Sequence, residues 1–252
     1  MTSCIAIVPC RYGSKSIPRK NHSLITGLPL YELAIRNALL CKSIAMVVVS
    51  TNDPGILSAN ISSSRVRIIP RPDRLCSDES PISECINHVL SQYPAEHALL
   101  YQPTSPFIFL ETSDQIIDLL KHGENNYFSA QSISRVKHNS HYLNQRLLKP
   151  GPDNIVEFRF PDERKHAYNK QLKDPSFIFG NLIGVNANMF LKRYKYERSL
   201  LSLFDQPSGF IEISTREALD VDQPDDLVFA DYLSMNDVQV MNHIASAKAI
   251  SL

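Results

Sequence analysis

The stretch IAIVPCRYGSKSIPRKN (Ile5–Asn21) decides how the rest of the chain is read. From Ile5 to Cys10 it holds no polar side chain, the pattern of a strand covered on both faces in a parallel sheet. The loop that follows carries Arg11, Lys15, Arg19 and Lys20 and no acid. In an open α/β sheet, ligands gather at the carboxyl ends of the strands, so a basic loop directly after the first strand marks an anion site there. Gly13 and Ser14 can turn backbone N–H groups toward anionic oxygens, Arg11 supplies a planar fork, and Lys15 and Lys20 supply point charges. Polyphosphate suits such a loop; a solvated basic loop is the plainer alternative. Neither G-x-x-x-x-G-K-[ST] nor G-x-G-x-x-G occurs, which removes the best support for a P-loop ATPase or a dinucleotide dehydrogenase.

Outward from this stretch, short apolar runs alternate with amphipathic ones, the signature of an α/β fold with a mainly parallel sheet. Strands are predicted at Ile5–Pro9, Ala45–Ser50, Val66–Pro70, His97–Tyr101, Tyr127–Ser132, Phe177–Val185 and Gly209–Ile213. Leu30–Leu40, behind Pro29, reads as a helix. Ser80 as N-cap and Pro81 as first residue open another, with Ile82, Cys85, Ile86, Val89 and Leu90 on one face. Thr112 and Gln115 suggest a capping box, with a stop at Gly123. Pro224 to about Met235 reads as a closing helix. Residues 136–176 are polar and without period, and read as an excursion from the core.

The 252 residues contain 26 Lys and Arg against 26 Asp and Glu, and 43% are hydrophobic. This balance fits a folded, enzyme-sized chain, taken as one domain over residues 1–252. Zero net charge argues against nucleic acid or an anionic membrane as partner. The longest uninterrupted apolar run, Ile44–Val49, is six residues, far below the roughly 18 of a membrane span. The start, MTSCIAIVPC, has no Lys or Arg before its apolar run and reads as a strand rather than a signal peptide, so a cytoplasmic location is expected. The five cysteines, with no C-x-x-C, read as reduced core thiols. His138 and His141 lack nearby partners for zinc.

A second constellation lies at Asp220-Val221-Asp222. In an extended segment residues i and i+2 share a face, so the two carboxylates point at one place. Oxygen-only ligands there suit Mg²⁺, completed by water and substrate phosphates. The alternative is that these acids cap the helix behind Pro224, a role assigned to Asp225 and Asp226. A cationic loop and a carboxylate pair together point to nucleotidyl or phosphoryl transfer. G-x-S-x-G and an obvious Cys/His arrangement are missing, so acyl transfer lacks support.

Five blocks, in order, carry a family resemblance: IAIVPCRYGSKSIPRKN (Ile5–Asn21), VVVSTND (Val47–Asp53), RPDRLCSDES (Arg71–Ser80), LLYQPTSPF (Leu99–Phe107) and ALDVDQPDDL (Ala218–Leu227). They resemble the signature of the acylneuraminate cytidylyltransferases, which activate sialic-acid-type sugars as CMP derivatives. The IPRKN ending favours this branch over the Kdo-activating relatives. The resemblance implies a Rossmann-like, three-layer nucleotidyltransferase fold with residues 136–176 as a dimerisation excursion, and hence a homodimer. Tyr142, Leu143, Phe158 and Phe160 are expected to face the second subunit.

By the same resemblance, Arg11, Gly13, Ser14, Lys15, Lys20 and Asn21 contact CTP, while Arg71 and Asp78 belong to the cytosine and ribose pocket. Gln102 touches the sugar acid, and Asp220 and Asp222 hold Mg²⁺. Arg11, Lys20 and Asp222 are the catalytic residues. The implied reaction joins CTP to a nine-carbon 2-keto sugar acid, releasing pyrophosphate. Alternatives are another acid (pseudaminic, legionaminic, Kdo or a phosphonate) or a non-catalytic nucleotide-binding homologue. Three departures fall near the sugar site. Ile108 replaces the usual Arg, Gly180-Asn181 reverses the usual Asn-Gly, and Pro81-Ile82 replace small polar residues. Gly180 and Asn181 are expected to line the sugar pocket and, with Ile108, to shift the preferred acid.

Overall fold

The computed structural model describes residues 2–149, 156–167 and 169–252. The chain runs β1 (Thr2–Cys10), β2 (Leu24–Ile25), β3 (Leu28–Pro29), α1 (Leu30–Leu40), β4 (Met46–Thr51), α2 (Pro54–Leu57), β5 (Val66–Pro70), α3 (Ile82–Gln92), β6 (Ala95–Tyr101) and α4 (Leu110–His122). It continues through β7 (Ser129–Arg135), β8 (Arg146–Leu148), β9 (Val156–Phe158), α5 (Pro161–His166), β10 (Phe177–Asn186), α6 (Ala187–Tyr194), β11 (Ser208–Ile213), α7 (Pro224–Asn236) and α8 (Val238–Ala249). Seven strands form one sheet in the order β11-β7-β10-β6-β1-β4-β5. Only β10 runs antiparallel to its neighbours within it. The fold is α/β with a mostly parallel sheet, as read from the alternation.

β1 shows why its sequence is apolar throughout. Cys4, Ala6, Val8 and Cys10 enter a core with α1 and α4, while Ile5 and Ile7 enter another with α3 and α6. These are the two faces of one strand, each covered by a helical layer. A third core lies between α1, α7 and α8, where Leu30 and Leu33 meet Ala230, Leu233, Val240 and Ile244. Phe107 and Val221 also join it, so it supports the loops that end at the sheet edge. All five cysteines are free. Among the described residues no helix is long and apolar enough to cross a membrane.

Several local expectations are corrected. α3 begins one residue later than predicted, with Pro81 as N-cap and no side-chain cap; the Ser80 hydroxyl instead donates to the Arg74 carbonyl. α4 begins at Leu110, ahead of the proposed capping box, and Thr112 lies inside its first turn. β7 lies at Ser129–Arg135 rather than Tyr127–Ser132. α8 was not foreseen; its local signal is Asp237, whose carboxylate accepts from the Gln239 and Val240 amides. Asp226 does act at the start of α7, in a capping box with Gln223.

Between β7 and β10 the chain leaves the sheet as the two-stranded β8–β9 hairpin and the short α5. Residues 150–155 and 168 of the predicted excursion lie outside the described residues. The Phe158 ring is stacked by Arg146 at 3.5 Å and Arg164 at 4.3 Å, and Phe160 packs edge-on against Tyr142. Leu143 is buried. Those aromatic residues therefore find partners within the excursion, whereas Leu148 is 82% and Ile178 59% exposed.

Candidate active site

β1, β4, β5 and β6 end on the same edge of the sheet, where their loops enclose a cleft of about 340 Å³. Its wall includes Arg11, Gly13, Ser14, Lys20 and Asn21 from the first loop, Arg71 and Asp78 from the third block, and Gln102, Asp220 and Asp222. Ten predicted site residues, separated by as many as 211 positions in sequence, are thus brought to one cavity. Lys15 is 87% exposed outside that wall, its ammonium 2.5 Å from Asp78. Gly180 and Asn181 are not brought to the cleft: Asn181 is fully buried beneath it.

The first loop is shaped by its backbone. Gly13 sits at φ +89°, open to a residue without Cβ, so the chain can turn over the strand end. Arg19 also takes a left-handed conformation, at φ +52°, immediately before the single helical turn Lys20–His22. Lys20 leaves that turn with only 11% of its side chain exposed. Its ammonium donates to the Val221 carbonyl at 2.9 Å and lies 3.1 Å from the Asp222 carboxylate. Asn21 donates to the Arg11 carbonyl at 3.0 Å and closes the loop on itself. Arg11 pairs with Asp78 at 2.6 Å. With Lys15 first and Arg11 second, these cations hold the Asp78 carboxyl below its ordinary range.

Opposite lies the acidic strip. Val221 is fully buried in the third core, contributing about 1.5 kcal/mol or more by its burial, while Asp220 and Asp222 on either side line the cleft. This is the alternation read from the sequence. The Val221 amide donates to the Thr104 carbonyl at 2.7 Å, and the Thr104 hydroxyl donates to Asp220. Desolvation against the cleft wall raises the Asp220 carboxyl above its usual range, and the charge of Asp222 adds to that rise. Among the described residues no three His, Cys, Asp or Glu converge on a metal position. Two carboxylates at a cleft also lined by cations fit a hard divalent ion whose remaining ligands are water and phosphate oxygens.

Several lining residues escaped the sequence reading. Thr104 and Asp53 stand inside two of the recognised blocks but were given no role. Asp53 pairs with His22 at 2.8 Å and caps α2, tying the first loop to the end of β4. Ser77, Ser80 and Ile82 complete the wall near Asp78. Of the three departures, Ile82 alone reaches it. Ile108 is fully buried in the core beside α1 and α4, so its exchange for Arg removes no charge from this cavity.

Gly180 and Asn181 occupy a bulge. The β7–β10 register shifts between Phe179 and Ile183, and the Ser132 hydroxyl oxygen replaces the ladder by accepting from the Asn181 and Leu182 amides at 2.8 and 2.9 Å. A Cβ at Gly180 would stand 2.6 Å from that oxygen and 2.8 Å from Ile213, so any larger residue there would have to displace them. The bulge turns the Asn181 amide inward.

A family model described as cytidylyltransferase matches residues 5–180, and the chain belongs to that family. It is similar to the N-acylneuraminate cytidylyltransferase of Escherichia coli O18:K1:H7 (strain RS218 / NMEC), at 36% identity over 121 residues, which is 48% of this chain and 28% of that protein. The match thus spans less than a third of the E. coli relative. It is also similar to the CMP-N,N'-diacetyllegionaminic acid synthase of Legionella pneumophila subsp. pneumophila (strain Philadelphia 1), at 25% identity over 240 residues, covering 91% of this chain and 95% of that one. Among solved structures, a CMP:2-keto-3-deoxy-manno-octonic acid synthetase complexed with CTP shares the fold with TM-score 0.68 at 15% identity, over 94% of this chain and 100% of that chain.

Proposed function

We propose that this cytidylyltransferase couples CTP to a nine-carbon 2-keto sugar acid of the sialic-acid type, forming the CMP-sugar and pyrophosphate. The observation that carries the reading is the meeting of the basic first loop, Gln102 and the Asp220/Asp222 pair around one cleft. The anomeric hydroxyl attacks the α-phosphorus, a new P–O bond forms, and the bond to the β-phosphate oxygen breaks with its electron pair leaving on pyrophosphate. The hydroxyl proton passes to solvent. Arg11 and Lys20 stabilise charge on the departing phosphates, and Lys15 adds to this from the rim. Arg71 and Asp78 hold the nucleoside, while Gln102 orients the sugar acid. Asp220 and Asp222 would hold Mg²⁺, which when bound offsets negative charge on the phosphates.

The legionaminic acid relative, matched over nearly its whole length, favours a second reading within the same reaction, in which the acid carries that substituent pattern. Pyrophosphate release from CTP, followed with N-acetylneuraminic, legionaminic, pseudaminic and Kdo acids side by side, tests both. Turnover with a nine-carbon acid at least about tenfold above Kdo is expected, the scale of discrimination a few pocket contacts achieve. Release with none of them, or with Kdo alone, overturns the reading.

The proposal includes a homodimer joined through residues 136–176, where Leu147, Leu148, Val156 and Leu172 are exposed. Sedimentation at micromolar concentration should show a dimer; a monomer there counts against it.

A further inference from the structure

The buried amide of Asn181 bridges two strips of the cleft wall beneath the surface, a few residues from where the Val221 amide meets the Thr104 carbonyl. Its Nδ2 donates to the Phe107 carbonyl at 3.3 Å, at the end of the Gln102–Phe107 strip, and to the Glu217 carbonyl at 2.9 Å, three residues before Asp220. Its Oδ1 accepts from the Ser132 hydroxyl at 2.9 Å, which fixes the rotamer. The Glu217 carboxylate, also buried, accepts from the Thr112 hydroxyl and from the Phe109 amide at 3.3 Å. Both strips are therefore tied to each other and to the start of α4 by groups that touch neither cleft solvent nor each other's functional side chains. Buried polar groups bound in this way resist displacement, because breaking one bond leaves an unpaired group in a low-dielectric interior.

We propose that Asn181 and Glu217 are positioning residues: they form a buried pin that sets the spacing between Gln102 and Thr104 on one side and Asp220 and Asp222 on the other. The assignment rests on the nucleotidyl-transfer reading of the cleft. It also accounts for the Gly-Asn order, since Gly180 makes room for the bulge that aims the amide inward. Loss of a partner that orients metal-binding carboxylates commonly costs about 10–100-fold in metal affinity or turnover.

The test compares Asn181→Asp, Glu217→Ala and Glu217→Gln with the unaltered protein. Asn181→Asp keeps shape but replaces the donor by an acceptor facing two carbonyls. Three quantities are read: Mg²⁺ half-saturation of turnover, Mn²⁺ binding in the presence of CTP followed by electron paramagnetic resonance, and the thermal midpoint. The pin predicts Mg²⁺ half-saturation and Mn²⁺ affinity weakened about tenfold in Asn181→Asp and Glu217→Ala, with Glu217→Gln within about threefold, because its amide oxygen still accepts from Thr112 and Phe109. Lower thermal midpoints with unchanged metal dependence per folded molecule overturn the proposal. If Asn181→Asp and Glu217→Ala do not fold, Thr112→Val, which removes one donor to Glu217 at nearly constant volume, must weaken Mn²⁺ binding by more than about twofold or the proposal falls. Absence of pyrophosphate release by the unaltered protein would sink the reaction reading, while Mn²⁺ binding still reports on the pin.

Discussion

The two walls of the cleft carry opposite charge and are held by opposite means. The basic wall is a loop whose outer cations, Arg11 and Lys15, are open to solvent. Arg11 and Lys15 share the half-exposed Asp78, whereas Lys20 at its end is mostly buried and reaches across to the Val221 carbonyl. The acidic wall is short, has Val221 buried at its centre, and is fastened by Thr104, Lys20 and the Asn181–Glu217 pin. Two carboxylates side by side repel, so their placement needs a stiff frame if they are to share one cation; under the proposed reaction, cations on long side chains would adjust to a triphosphate, exchanging Asp78 for phosphate oxygens. Hydrogen bonds to buried partners are thus concentrated where the two like charges stand side by side.

The largest expected effect breaks the stiff wall. Asp222→Asn leaves the fold intact and lowers turnover by on the order of 10² or more, the scale of one lost pre-organised electrostatic contact; pyrophosphate release alongside an unchanged circular dichroism melt checks it. Lys20 joins the two walls, so Lys20→Ala should lower kcat/KM for CTP by about 30-fold, while Arg19→Ala changes it by less than about threefold. Equal effects at the two positions would mean the loop is merely solvated.

The helical layer behind the cleft has a pH signature as well. His243 faces Phe109 and donates to the Pro106 carbonyl, which also accepts from Asn37 at 2.9 Å. Burial pushes His243 down to about 4. The unfolded chain therefore takes up a proton at higher pH than the folded one, so the contribution is fully present above about 6.5 and is lost as pH falls toward 4. Each unit in that window costs about 1.4 kcal/mol. Urea midpoints measured from pH 7.5 to 4.5 should fall more steeply in the unaltered protein than in His243→Leu. The smallest effect belongs to the yielding wall: Lys15→Ala should raise KM for CTP by about threefold, with a difference that fades in high salt, as expected of an exposed ion pair.

Much of this arrangement was legible before any coordinates. The stretch without a polar side chain at Ile5–Cys10, the basic loop behind it and the Asp220-Val221-Asp222 alternation each depend on neighbours a few residues away, and each stands in the structure where it was read. Boundaries were less legible. Thr112 looks like a helix cap because Gln115 follows it, yet its hydroxyl goes to Glu217, more than a hundred residues away. His22 gave no signal at all, since its partner Asp53 lies 31 residues on, at the N-cap of α2.

Gly180, Asn181 and Ile108 mark the division most clearly. As sequence they are departures close to recognised blocks, and the pairing of Gly with Asn looks like a shift of one side chain between the two faces of a strand. In the structure the strand is bulged, so the two-residue alternation does not apply, and the amide turns into the core while Ile108 packs between α1 and α4. The main strands and longer helices, and the position of the basic loop at the strand end, follow from periodicity and charge within short windows, and the sequence alone determined them. Which face a residue presents at a bulge, and which distant groups complete its hydrogen bonds, are decided only when the neighbouring strand and the loops beyond it close over the site, because a buried polar group must find its partners wherever the fold supplies them.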